Sequence, residues 1–309
     1  MYLSAPFLKE FCSRVSAAAS SITSDWELVL VNDGSPDNSL GLALTLQQEF
    51  CNIKIVDLAR NFGHHAAIVA GLENTDGDLV FLLDCDLEEQ PEWLSLFIEE
   101  YESTSLDVVY GVQDKRVANW YSNLFGQLYW KAINIAADVS IPVNPMTCRL
   151  MSRRYIDALL SVQDRVLYLA GVFAWTGFEQ QPLKLTKTPR PAKYSSTYSV
   201  SKKLMHVVDS FSSFSVAPLI LVFFSGVIIW LLSLGYAAYL VLFKIFSPET
   251  VLSGFTSLML SVWFVGGATI MSLGITGLYI AKIFREVKPR PRYIIKSLYE
   301  RPEIDSKPR

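Results

Sequence analysis

Asp84 and Asp86 stand two residues apart, directly behind the apolar run Leu79-Val80-Phe81-Leu82-Leu83. In extended backbone, side chains two apart leave the chain on the same side, so both carboxylates open onto one place at a strand's end. Two ionised carboxylates that close repel each other unless a cation lies between them. Oxygen-only donors suit Mg²⁺ or Mn²⁺, and Mg²⁺ characteristically joins one or two carboxylates to the phosphates of a substrate. The chemistry these residues point to is the handling of a diphosphate. A solvated acidic turn ahead of the helix that starts near Pro91 is the other reading of the same stretch.

The elements that must position this pair follow from periodicity. Five apolar residues without a polar interruption predict a strand buried on both faces, as in a parallel sheet covered by helices. Two earlier strands, Trp26 to Val31 and Ile53 to Leu58, also run into polar loops, Asn32-Asp33-Gly34-Ser35 and Arg60-Asn61-Phe62-Gly63-His64-His65. Helical patterns cover Ala5 to Ser21, Leu40 to Phe50, Ala66 to Asn74 and Glu92 to Ser103, and a further strand covers Asp107 to Gly111. Strands alternating with helices over short links predict an α/β domain with a doubly wound sheet. Ligands of such sheets bind beyond the carboxyl ends of the strands. A nucleotide across that edge would have its base near Asp33 and Arg60 and its diphosphate on a metal held by Asp84 and Asp86. Neither a Walker-type nor a Gly-x-Gly-x-x-Gly fingerprint is present, which counts against P-loop and Rossmann dinucleotide sites. His64 and His65 read as residues that cap or pack the adjoining helix.

Taken together, Val31-Asn32-Asp33-Gly34-Ser35, Arg60-Asn61-Phe62-Gly63 and Asp84-Cys85-Asp86-Leu87 resemble the family-2 glycosyltransferases of GT-A fold. The branch they are most similar to is the polyisoprenyl-phosphate glycosyltransferases, relatives of dolichol-phosphate mannose synthase and bactoprenol glucosyltransferase. The resemblance implies that Asp33 contacts the nucleotide, that Arg60 lies near its base, and that Asp84 and Asp86 hold a divalent ion, Mg²⁺ or Mn²⁺. Relatives often place a Gln two residues after the second Asp as a further ligand; here that position is Glu88, which still offers an oxygen. Lys115 and Arg116 are read as approaching the acceptor phosphate, where Arg can make paired hydrogen bonds. Arg149, in Cys148-Arg149-Leu150, matches an Arg of the family motif. Two departures stand out. Family members usually begin with a strand before the first helix, and this chain starts at Met1-Tyr2-Leu3, so that strand is expected to be missing or nearly so. At Met146-Thr147-Cys148-Arg149-Leu150, relatives have an Asp where Thr147 stands, and that Asp is the usual candidate for a general base. A hydroxyl acceptor must lose a proton as it attacks, so a base contributes about 10²- to 10⁴-fold. A phosphate monoester, with a second pKa of about 6, is already largely dianionic at neutral pH. Thr147 therefore agrees better with a lipid-phosphate acceptor.

The second half of the chain directs attention to a membrane, as does a hydrophobic content of 51%. Residues 216–243 and 254–281 contain no Asp, Glu, Lys, Arg or His, and each exceeds the roughly 20 residues needed to cross a bilayer. They predict a C-terminal two-helix transmembrane hairpin within 216–284, preceded by an amphipathic interfacial helix over 201–215 behind Lys202 and Lys203. Basic residues gather at the outer ends of the hairpin, so the GT-A domain of residues 1–200 and the tail of 285–309 are expected on the cytoplasmic face of the cell's inner membrane. Gly267, Gly274 and Ala281 recur every seventh residue as a stripe that permits close helix packing, within the hairpin or in a homo-oligomer, where a tetramer fits the family resemblance. A net charge of −3 gives no reason to expect nucleic acid as partner, and four cysteines without paired spacing predict free thiols. The expected activity is inverting transfer of a sugar from a nucleotide donor, UDP-linked by expectation, to polyprenyl phosphate such as undecaprenyl phosphate. The alternatives are a catalytically inactive membrane scaffold of a glycan pathway and a polymerase acting on a hydroxyl acceptor, although the Gln-x-x-Arg-Trp motif of processive synthases is absent.

Overall fold

The computed structural model describes residues 1–50, 52–113, 142, 144–162, 164, 169–187, 217–246 and 255–300. The first half runs α1 (Ala5–Ser20), β1 (Leu28–Asn32), α2 (Ser39–Glu49), β2 (Ile53–Leu58), α3 (His64–Glu73), β3 (Leu79–Leu82), α4 (Trp93–Thr104) and β4 (Val108–Gln113). It continues through β5 (Pro145–Ser152), α5 (Arg153–Ser161), α6 (Leu169–Trp175) and β6 (Gln180–Leu185) to the long helices α7 (Ala217–Phe246) and α8 (Phe255–Val287), and ends in β7 (Ile295–Tyr299). The interfacial helix expected over 201–215 lies outside the described residues.

The α/β alternation holds, but the strands form a mixed arrangement in two groups. β1 pairs parallel with β2, which pairs antiparallel with β7; β5 lies antiparallel between β3 and β4, and β4 pairs parallel with β6. This corrects the expectation for Leu79 to Leu83. β3 is four residues long, hydrogen-bonds to β5 alone among the described strands, and leaves Leu79 41% exposed. It is therefore an edge strand of its group, and its apolar run packs one face against α3 and α5 and the other against α4. β2, flanked by β1 and β7, is the interior strand of its own group, with Ile55 and Val56 fully buried.

α3 joins the groups. Ala67 and Ala70 pack on Val29, Val31 and Val56, while Ile68, Val69 and Leu72 pack with Val80 and Leu82 on the β3 side. On the other side, α1 places Leu8, Phe11 and Cys12 at helical spacing against Leu30, Ala43 and Leu46, and Leu83 and Cys85 reach the same cluster. Met1 lies alongside β1: its amino group donates to the Val31 carbonyl, and its own carbonyl accepts from Asp33 N at 3.0 Å. Ser152 caps α5, its hydroxyl accepting from Tyr155 N at 3.2 Å. That cap aligns Tyr155, Ile156 and Leu159 into the core.

The segment that follows α8 is built into the α/β domain. β7 adds a strand beside β2, Gln47 Nε2 donates to Tyr299 O at 2.8 Å, and Lys54 Nζ reaches Glu300 at 2.9 Å. Asp57, 2% exposed on β2, accepts from Asn32 Nδ2 at 2.7 Å and meets Lys296 of β7 at 3.8 Å. Between α8 and β7, Arg292 Nε donates to Asp164 O at 3.0 Å and Tyr293 pairs with Glu73. The end of α8 is thus tied to the α/β domain within a few residues. α7 and α8 touch each other, and within α8 the stretch Phe264–Ala281 is long and apolar enough to cross a membrane and is unburied throughout. Among the described residues, a Cβ built on Gly267 or Gly274 meets nothing within 4 Å.

Candidate active site

β1 delivers Asp33 to the open end of its group, and the structure buries it there at 4% exposure. Its two carboxylate oxygens accept from Phe62 N at 2.6 Å and Gly63 N at 3.0 Å, so the loop after β2 is hung on the end of β1. Bonds from backbone N–H to a carboxylate are charge-assisted, about twice as strong as neutral ones. Gly34 completes the clamp: it sits at φ +57°, and a Cβ there would lie 2.5 Å from the Arg60 carbonyl carbon and from Asn61 N. Arg60 itself is exposed, lies 4.0 Å over the Phe62 ring, and donates from Nη1 to Asn61 O at 2.9 Å. Asp33 was expected to contact the nucleotide; in the structure its carboxylate is engaged in holding the Arg60 loop.

The acidic pair follows β3 as expected. Asp84 faces His64 across 3.7 Å (Oδ1 to Nε2), and Asp86 Oδ1 accepts from Glu88 N at 3.0 Å. Leu87, between Asp86 and Glu88, has φ +62°, a left-handed conformation that costs a non-glycine residue about 1–3 kcal/mol. Its side chain packs into the α1 cluster, which holds the strained turn in place. Among the described residues no group of three or more His, Cys, Asp or Glu converges as a metal cage. Two carboxylates nevertheless suit a cation that completes its shell with substrate phosphate and water.

Two further residues enter this site that periodicity and motif did not single out. Glu89 is fully buried; its Oε1 accepts from Thr147 N at 3.2 Å and from Lys187 Nζ at 2.9 Å, while Oε2 has no hydrogen-bond partner among the described residues. Lys187 also stands 3.8 Å from Glu88. Burial, reinforced by the charge of Asp84, pushes the Glu89 carboxyl above its ordinary range, against the pull of Lys187. On Lys187 burial acts to lower the pKa, and the charge and hydrogen bond of Glu89 outweigh it. Glu89 was hidden in sequence by its acidic neighbours, and Lys187 by the polar stretch from Leu183 onward, which reads as loop although its start belongs to β6.

Arg149 is buried on β5, in register with Leu82 of β3 and Tyr110 of β4. It is 3% exposed on β5, its guanidinium 3.4 Å over the Phe173 ring of α6, and Nε donates to Thr147 O at 3.4 Å. Burial lowers its pKa to about 10. Arg149, read from its motif as a site residue, packs its side chain in the core and, with Glu89, holds Thr147 by its carbonyl and its N–H. Lys115 and Arg116 lie outside the described residues. The site the structure assembles therefore consists of the clamped Arg60 loop, the Asp84 to Glu88 turn with His64, and the Glu89 and Lys187 pair behind it.

The chain was compared with known proteins. The description glycosyl transferase family 2 matches residues 1–160. A Mycobacterium tuberculosis protein carried under the name of a glycosyltransferase is 39% identical over 299 residues, covering 97% of this chain and 86% of that protein. An uncharacterised glycosyltransferase of Synechocystis is 31% identical over 300 residues, covering 97% and 93%. The bactoprenol glucosyl transferase of Shigella phage SfX is 29% identical over 271 residues, covering 88% of each chain. The mixed α/β sheet is GT-A-like, the family match spans more than half of the sequence, and the relatives align over nearly all of it: the chain belongs to glycosyl transferase family 2.

Proposed function

We propose that this protein transfers a sugar, with inversion, from a UDP-linked donor to polyprenyl phosphate at the cytoplasmic face of the inner membrane. The observation that carries the reading is the strained turn after β3, which presents Asp84 and Asp86 beside the Arg60 loop at the open end of a family-2 fold. A bactoprenol glucosyl transferase among the relatives supports a polyprenyl phosphate acceptor. Asp84 and Asp86 would hold Mg²⁺ or Mn²⁺ with Glu88 in reserve. Bound there, a divalent cation supplies charge neutralisation for a leaving diphosphate. The chain's own part is positional. Asp33 and Gly34 fix the loop that offers Arg60 to the base, and Leu87 fixes the carboxylates. Thr147 leaves proton abstraction unprovided for, which a phosphate acceptor does not need.

The membrane reading is supported by the apolar stretch Phe264–Ala281 and by the charge-free 216–243. Together they would form a hairpin whose second helix is tied by Arg292 and β7 to the catalytic domain, keeping the site at the lipid surface. The test is to incubate membranes with radiolabelled UDP-sugars, polyprenyl phosphate and Mn²⁺, and to look for a labelled lipid that mild acid releases. The expected result is a product that disappears in Asp86→Ala at unchanged expression. A well-expressed protein giving no product from any donor overturns the reading in favour of an inactive scaffold.

A further inference from the structure

Glu89 poses a problem that the transfer reading leaves unsolved. A carboxylate with no exposure is costly to bury unless it is paired, and here one oxygen is served by Lys187 and Thr147 N while Oε2 has no partner among the described residues, with the charge of Asp84 acting on it. The pair is asymmetric. Glu89 is sealed, whereas the Lys187 side chain is 26% exposed and extends past Glu89 to stand 3.8 Å from Glu88, the third carboxylate of the turn. A buried anion anchors a rim cation that faces the very carboxylates expected to bind metal.

We propose that Lys187 is an internal counter-cation of the donor site, anchored on Glu89, which engages Glu88 and so competes with a divalent cation for it. The inference rests on the reading of Asp84, Asp86 and Glu88 as the metal-binding carboxylates. While Lys187 is docked, two carboxylates remain for the cation, which leaves coordination positions for phosphate oxygens and water. The device limits how tightly the site holds a bare cation and so favours one that arrives with a diphosphate. An ammonium a few ångströms from a cation site opposes binding by an amount that, at a partly screened protein rim, corresponds to roughly five- to tenfold in affinity.

The experiment measures Mn²⁺ binding, without donor or acceptor, to the full chain in detergent by electron paramagnetic resonance of free Mn²⁺. Lys187→Met is expected to bind Mn²⁺ about five- to tenfold more tightly than the parent, and Lys187→Arg about equally. Lys184→Met, the same charge change at an exposed position of β6, is expected to shift binding less than about twofold, since an exposed charge is largely screened. Lys187→Met strands a buried carboxylate, so Glu89→Gln/Lys187→Met is measured alongside; it keeps the parent's net charge, removes the ammonium from Glu88, and is expected to bind Mn²⁺ more tightly than the parent. Binding by the double variant that is unchanged or weaker overturns the proposal, as does Lys184→Met matching Lys187→Met. Absence of Mn²⁺ binding by the parent, with the fold intact, refutes instead the metal reading on which the proposal stands.

Discussion

Substituting Gly34 by Ala tests the clamp between β1 and the Arg60 loop. At φ +57° an L-residue pays about 1–2 kcal/mol for the left-handed conformation alone. The new methyl group would stand 2.5 Å from backbone atoms of Arg60 and Asn61, where ordinary contact begins at 3.4 Å, and neither atom belongs to a side chain that could swing away. The loop must therefore retreat by close to an ångström. Its attachment is through Phe62 N and Gly63 N to Asp33, at 2.6 and 3.0 Å, so a retreat of that size breaks at least one of the two bonds. A hydrogen bond to a charged group contributes about 1.5–3 kcal/mol, and the whole perturbation is on the order of 3–4 kcal/mol. Gly177→Ala provides the comparison: φ there is +74°, with open space around the built Cβ, so it carries the conformational cost without the collision. Thermal unfolding in detergent should fall several degrees further for Gly34→Ala than for Gly177→Ala, and UDP binding should weaken only in the former. Equal unfolding temperatures, or parental UDP affinity in Gly34→Ala, would refute the clamp.

Asp107 accepts from Ser152 Oγ at 2.7 Å and pairs with Arg154, whose hydrogen bond holds its carboxyl below the usual range. A depressed folded pKa means that the stabilisation is present above the unfolded value of about 3.9 and is lost as pH falls through the folded one. The parent should therefore lose more unfolding temperature than Asp107→Asn between pH 6 and pH 3, as calorimetry in detergent would record. Tyr155→Phe, although at a fully buried site, should cost no more than about 1 kcal/mol, because the Phe173 carbonyl that accepts its hydroxyl at 3.1 Å also accepts from Thr176 Oγ1 and Gln180 Nε2. Chemical denaturation decides this, and a loss beyond about 2 kcal/mol contradicts it. Deleting β7 by truncation before Ile295 should destabilise the whole α/β domain, since it uncovers β2 and takes Lys296 from the buried Asp57; native-state proteolysis is the readout.

What could be read in the sequence was local. β2 was placed residue for residue, and α1, α2, α3 and α4 to within about two residues, because apolar spacing and turn chemistry are short-range signals. The acidic pair was legible for the same reason. Pairing was not: Leu79 to Leu83 looks like an interior strand, yet its exposure depends on β5, which runs some 70 residues further on and antiparallel to it. β5 itself, Pro145–Ser152, carries mixed polar and apolar residues whose burial is decided by β3 and β4 on either side, and β7 is a strand only because β2 has a free edge for it. Arg149 illustrates the limit of reading a role from a motif. Its motif position marks it as a site residue, and the structure stacks it in the core on the ring of Phe173, from a helix more than 20 residues later. Glu89 and Lys187 were illegible because their meaning lies in a 2.9 Å contact between residues almost 100 positions apart.

Sugar transfer onto a lipid phosphate is decided by giving the purified chain undecaprenyl phosphate, Mn²⁺ and UDP-hexoses, and reading the lipid by mass spectrometry. One hexosyl unit should be added to the lipid phosphate for each UDP released, and none to undecaprenol offered in its place. Hexose transfer to the free alcohol at an equal rate, or UDP release with the lipid phosphate unchanged, would contradict it.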